Sequence, residues 1–260
     1  MDFGLKGKKV LVTGGSHGIG LSIAKFLGQE GCQVAICSRT KIRVDKAINE
    51  LKSLRVDAFG TLFDAAKKND IERVVSEINK KWGGIDILIN NVGGGGRWGS
   101  EDVINTPYDV WQEVYDKNTT AAIRFMQAFL PGMKVKKWGR VVTITSIYGK
   151  QGGGRPWFNI AKASQTALMK NFALNKDFIR SGITFNSVAP GGIFIPNTGW
   201  DEMKQENPEE YKEMIDKEFR LGRLGTPEEV ASVVGFVCST SSSLLNGASI
   251  LLDGGETQIL

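Results

Sequence analysis

Along the chain, short apolar runs alternate with longer stretches in which apolar positions recur every three or four residues. The short runs lie at residues 9–13, 33–37, 57–63, 85–90, 140–146, 183–188 and 249–253. Several are rich in Val and Ile and carry few polar positions, the mark of strands covered by helices on both faces of a parallel sheet. The intervening stretches carry the period of amphipathic helices, the first of them over 21–30. This grammar predicts one doubly wound α/β domain over residues 1–260, built on a seven-stranded parallel sheet. The rhythm breaks at 193–220, where Pro196, Gly199 and Pro208 are followed by an acidic helical segment through Glu218. That stretch reads as a substrate lid inserted into the domain.

Composition narrows the picture. With 260 residues and 41% hydrophobic content, the chain suits one large core better than two small ones. Its glycines gather at motif positions and form no low-complexity repeat. Cys32, Cys37 and Cys238 have neither paired nor metal-like spacing, and His17 is the sole histidine. No disulfide framework or metal site is expected, which suits a reducing cytosol. No apolar stretch is long enough to cross a bilayer, and a strand already ends at Thr13, leaving no room for a cleavable leader. A cytoplasmic protein is therefore expected, with no membrane partner. The net charge of +5 comes from dispersed lysines, and the dense run at 134–137 falls at a predicted helix C-terminus, where the dipole favours cations. Nucleic acid is not an expected partner; a small-molecule substrate is.

After the first run the chain reads Thr13-Gly14-Gly15-Ser16-His17-Gly18-Ile19-Gly20 and opens into a helix. Gly14 permits the tight turn, Gly18 lets backbone approach a pyrophosphate, and Gly20 lets helix and strand pack closely. The helix N-terminus adds free N–H groups and a positive dipole end. The spacing departs from Gly-x-Gly-x-x-Gly, and an ordinary glycine turn is the competing reading; the order strand, turn, helix favours dinucleotide binding on a Rossmann-type sheet.

Further segments fit together: Asn90-Asn91-Val92-Gly93, Asn118, Ser146, Lys162, Pro190-Gly191, Arg223-Leu224-Gly225-Thr226-Pro227-Glu228-Glu229 and Asp253-Gly254-Gly255. In this order, and over essentially the whole length, the chain resembles the short-chain dehydrogenase/reductase (SDR) family. The resemblance implies strand order 3-2-1-4-5-6-7, NAD(P)(H) across the strand C-termini, and a homotetramer or homodimer built through long helices. It puts Ser16, His17 and Ile19 on the cofactor with the turn glycines. Asp64 and Ala65 would border the adenine, Asn90, Val92 and Gly93 the adjoining ribose, and Pro190, Gly191 and Ile193 the nicotinamide. Ile195 stands where the family often has a carboxamide-binding threonine.

After the second run the chain reads Cys37-Ser38-Arg39-Thr40, with no acid to accept from an adenosine ribose. Arg39 offers a planar charged fork for a 2′-phosphate with Ser38 beside it, which favours NADP(H) over NAD(H); the competing reading is a solvated surface arginine.

The same resemblance supplies a catalytic set. A tyrosine and a lysine four residues apart share one helix face. The lysine lowers the phenol's pKa and holds the nicotinamide ribose, the phenol donates the proton, a serine orients the substrate oxygen, and an asparagine supports a water-linked proton path. Asn118, Ser146 and Lys162 stand in register, but the tyrosine position is Phe158. A ring without the hydroxyl should slow carbonyl reduction by on the order of 10² to 10⁴. Three accounts stay open: an engineered Tyr-to-Phe change; replacement of the phenol by Tyr148, which on an extended strand would share a face with Ser146; or binding of NADP(H) without ordinary turnover.

Two glycine-rich loops flank the expected cleft, 93–99 with Arg97 and Trp98, and 149–157 with Arg155 and Trp157. The arginines would bind a carboxylate or phosphate and an indole would cover an apolar or sugar face, unless these are plain surface loops. The expected function is NADP(H)-dependent hydride transfer on a small polar hydroxy or oxo compound, anionic or sugar-derived. The rival is a cofactor-binding protein with a regulatory or structural role.

Overall fold

In a computed structural model, which describes residues 2–67, 69–95, 99 and 103–259, the apolar runs become seven parallel strands. These are β1 Lys9–Thr13, β2 Gln33–Ser38, β3 Ala58–Leu62, β4 Ile87–Asn90, β5 Gly139–Ile144, β6 Ile183–Pro190 and β7 Ser249–Leu252. They form one sheet in the order β3-β2-β1-β4-β5-β6-β7. Helices α1 Gly18–Gln29, α2 Lys41–Ser53, α3 Asp70–Trp82, α4 Tyr108–Tyr115, α5 Ala121–Lys136, α6 Pro156–Ala173 and α7 Lys176–Arg180 follow in chain order. After β6 come α8 Gly199–Glu206, α9 Pro208–Glu218 and α10 Pro227–Cys238.

The two-faced burial that the strands announced is realised by alternation. Val10, Val12, Val34, Ile36, Ile87 and Ile89 pack on one face against Ile23 and Leu27 of α1, Leu51 of α2 and Val230 and Val234 of α10. Leu11, Ala35, Leu88 and Val141 point the other way, against Val74 and Ile78 of α3, Phe125 and Phe129 of α5 and Met169 of α6. Each such side chain contributes about 1.5–3 kcal/mol when fully buried, so neither face can be left uncovered.

Two local departures matter for the site. The run at 140–146 does not stay extended. β5 ends at Ile144, and Ile147–Gly149 forms a 3₁₀ turn capped by Ser146, whose Oγ accepts from the Tyr148 N–H at 3.2 Å. The strand alternation that would put Ser146 and Tyr148 on one face therefore does not apply; the serine cap bends the chain first. Between α4 and α5, Asp116–Thr120 forms a π-turn containing Asn118, a geometry that concentrates at functional sites.

Residues 193–220 hold α8 and α9, whose Ile215 and Tyr211 gather with Phe194, Trp200 and Phe219 in a cluster separate from the main cores. The segment Arg223 to Glu229 ends in a capping box. Thr226 Oγ1 accepts from the Glu229 N–H at 3.3 Å and Glu229 Oε2 accepts from the Thr226 N–H at 2.8 Å, with Pro227 opening α10. Cys32, Cys37 and Cys238 are buried free thiols. Among the described residues, no helix is long and apolar enough to cross a membrane and no cluster of His, Cys, Asp and Glu could hold a metal ion.

Candidate active site

The sheet order reverses between β1 and β4, and the loops leaving those strands part there, opening the crevice in which open α/β sheets hold ligands. On the β1 side, Gly14 takes a φ of +66°, open to glycine at little cost. A Cβ on Gly20 would run into the Gly14 carbonyl and the Asn91 side chain, so the first turn of α1 lies directly on the loop. Asn91 ties that loop to β4: its Nδ2 donates to Thr13 O at 2.9 Å and Gly14 O at 3.2 Å. No side chain caps α1, because His17 makes no such bond. The first N–H groups of α1 thus face the crevice in the arrangement that binds phosphate. Burial, with Arg43 and Lys46 nearby, pushes His17 below its ordinary pKa.

Two adjoining cavities occupy the crevice. One, of about 510 Å³, is lined by Arg39, Asp64, Ala65, Val92 and Lys117 among others. Burial and the charge of Arg39 push Lys117 below the usual lysine range. The other, of about 540 Å³, is lined by His17, Gly18, Ile19 and Gly20 of the turn, by Gly93, Ser146, Tyr148, Phe158 and Lys162, and by Pro190, Gly191, Ile193 and Ile195. Arg155, Trp200 and Glu256 also line it. Together the two spaces offer a dinucleotide an end that carries Arg39 and Lys117 among charges of both signs, a phosphate-binding turn and a polar reaction end, so the residues present fit such a cofactor. Ser16, Ser38 and Asn90, expected at the cofactor, are not among the residues lining either cavity; Asn90 is buried and its Nδ2 donates to Thr143 Oγ1 at 3.4 Å.

Lys162 is 4% exposed. Its Nζ donates to Ile144 O and to Gln165 Oε1, each at 3.0 Å, and lies 5.6 Å from the centre of the Phe158 ring. Burial pulls its pKa down to about 7. Asn118 is spent on structure: its side chain bonds Val114 O at 2.7 Å and Gly94 O at 2.8 Å. Its main-chain oxygen accepts from Gln165 Nε2 at 2.8 Å. Tyr148 packs edge-on to Phe158 with ring centres 6.5 Å apart. Burial, then Glu256 and Glu218, push its phenol above the usual range, the opposite of what an activated proton donor needs. Only its backbone N–H reaches Ser146 Oγ.

Of the four loop residues with an expected substrate role, Arg97 and Trp98 lie outside the described residues. Arg155 lines the larger cavity and donates to Gly99 O. Trp157 does neither. It is 1% exposed, stacks edge-on against Trp111 at 5.4 Å and bonds Gly95 O at 3.3 Å. Pro156 starts α6, and the next side chain turns inward onto Val114 and Ala161. It packs in a buried cluster and is not among the residues that line the cavity. Gln165, Lys117, Trp200 and Glu256 were not legible as site residues, although Gln165 lies three positions after Lys162 on one helix face.

A family model described as Enoyl-(Acyl carrier protein) reductase matches residues 14–257. Dehydrogenase/reductase SDR family member 4 of Bos taurus is 34% identical over 254 residues, covering 97% of this chain and 88% of that one. The chain belongs to the short-chain dehydrogenase/reductase family. Another SDR relative is the 3-oxoacyl-(acyl-carrier-protein) reductase of Pseudomonas aeruginosa, 32% identical over 96% of this chain and 98% of that one. Among solved structures, the L-sorbose reductase of Gluconobacter frateurii, complexed with NADPH and L-sorbose, superposes with a TM-score of 0.91 at 28% identity over the whole of both chains. An actinorhodin polyketide ketoreductase with NADPH gives 0.88 at 28% identity over 97% of this chain and 98% of that one. Phe158 thus sits on an SDR scaffold.

Proposed function

We propose that this protein is an NADP(H)-dependent oxidoreductase acting on a small polar hydroxy or oxo compound. The observation that carries the reading is the convergence of the uncapped α1 turn, Ser146 and Lys162 on one cavity whose remaining lining includes Arg155, Trp200 and Glu256. NADP(H) is favoured over NAD(H) because Arg39 and Lys117 line the adenosine-side space, and the NADPH held by the two SDR reductases supports it. The L-sorbose bound by one of them supports a polyhydroxylated substrate class.

When bound, the nicotinamide supplies or accepts the hydride. Gly93 and Lys162 would hold its ribose, with the N–H groups of α1 on the pyrophosphate. Ser146 Oγ would donate to the substrate oxygen, polarising it, and residues 193–220 would act as a lid, with Ile193, Ile195 and Trp200 excluding water. Phe158 holds no proton to give. A homotetramer or homodimer in the cytoplasm completes the reading.

The raised phenol of Tyr148 favours a second reading, cofactor binding with little turnover. NADPH oxidation followed across a carbonyl panel decides between them. Under the first reading this chain turns over slowly, and Phe158→Tyr gains on the order of 10² to 10⁴ in kcat. Loss of turnover in Tyr148→Phe would make Tyr148 the donor. Silence in every variant despite NADPH binding would establish the second reading.

A further inference from the structure

Behind Phe158 runs a polar chain with no carboxylate in it. Lys162 Nζ bonds Gln165 Oε1 at 3.0 Å, and Gln165 Nε2 bonds Asn118 O at 2.8 Å. Gln165 and Asn118 are both 0% exposed, so these groups have no recourse to bulk water. The orientation of the amide follows from its partners. A main-chain carbonyl only accepts, so the NH₂ must face Asn118; a reversed amide would set two acceptors together and two donors against each other. Asn118 is held in turn by its side-chain bonds to Val114 and Gly94 and by the π-turn that contains it. Ile144 O takes a second proton of Nζ. The open direction at Nζ is toward the cavity, where a Cβ on Gly93 would come within 3.3 Å of it.

We propose that Gln165 is the positioning residue for Lys162: its carboxamide clamps Nζ to the main chain of the π-turn and so confines proton exchange at Lys162 to the cavity side. A water molecule in the same place could pass a proton from Nζ to the carbonyl and onward. A carboxamide accepts at one end and donates at the other, and under mild conditions it transfers none. Lys162 therefore keeps a fixed direction and a closed rear wall, which matters in a site whose usual phenol is missing. The ionisable groups sharing its cavity are His17, Tyr148, Arg155 and Glu256, and burial alone accounts for its lowered pKa. A neutral acceptor leaves that pKa low, where a carboxylate would raise it.

The inference rests on the proposed role of Lys162 at the cofactor, but its first readout needs no cofactor. The full chain is labelled with ¹³Cε-lysine and titrated by NMR, the Lys162 signal being the one lost in Lys162→Arg. Its midpoint should lie near 7. Gln165→Glu should move it up by at least one pH unit and Gln165→Met should move it down. In the unsubstituted protein the Gln165 side-chain amide signals should shift with the same midpoint, a measurement that needs no folded variant. An amide that ignores the Lys162 titration, or a midpoint unchanged in folded Gln165→Glu, overturns the proposal. NADPH binding, read by fluorescence, separates the two levels: coupled titrations without NADPH binding would sink the cofactor reading and leave the clamp standing.

Discussion

At the scale of single residues, the site is organised around a lysine that is almost wholly buried and opens only onto the cavity. Lys162 folds at a cost while charged, because only main-chain and amide oxygens meet it. The sign follows from its depressed pKa. Between about 7 and the lysine value near 10.4 in the unfolded chain, the unfolded state binds more protons, so this group makes stability rise with pH across that window. Below about 7 its penalty is fully present. Replacing it with methionine should flatten the dependence of Tm on pH between 7 and 10, measured by thermal melts. An unchanged slope would mean that another group carries it.

The element scale shows how local chemistry places these residues. α10 starts where Thr226 and Glu229 cap each other, and the Arg223 guanidinium, with the Thr226 N–H, holds the Glu229 carboxyl down to about 2. Thr226→Ala should cost about 1 kcal/mol in denaturant unfolding, since an orphan N–H is left at the helix start. The stabilisation that Glu229 adds is present above the ordinary carboxylate range and lost as pH falls through about 2. At α6, the inward turn after Pro156 makes Trp157 a packing residue, so Trp157→Ala should lose about 3–5 kcal/mol of stability. The milder Trp157→Phe should leave KM near its starting value. A large rise in KM for Trp157→Phe at unchanged Tm would return Trp157 to the substrate site.

For the whole molecule, two cavities meeting at the sheet's switch point predict a ligand that stabilises the fold by mass action. At a hundred times its Kd, NADPH should add about 2.7 kcal/mol, seen as a rise in Tm, while NADH at the same concentration should add less. Equal shifts would show that Arg39 and Lys117 do not read the 2′-phosphate.

The alternation of apolar runs and the glycine turn determined the seven-stranded sheet, its two covered faces and the site of the phosphate-binding turn, because strand burial and helix-start chemistry are written in neighbouring residues. The same held for Ser146 and Lys162 as cavity residues, which the family resemblance carried. Tertiary structure alone decided the rest. Ser146 caps a turn and so takes Tyr148 off the strand face; Trp157 meets Trp111 and is buried behind the cavity lining it was expected to join. Gln165 reaches Asn118 across 47 residues of chain, and Glu256 reaches the Gly192 N–H across 64. Such contacts depend on how distant segments pack, and no local pattern of polar and apolar positions encodes which side chain will fill a given gap.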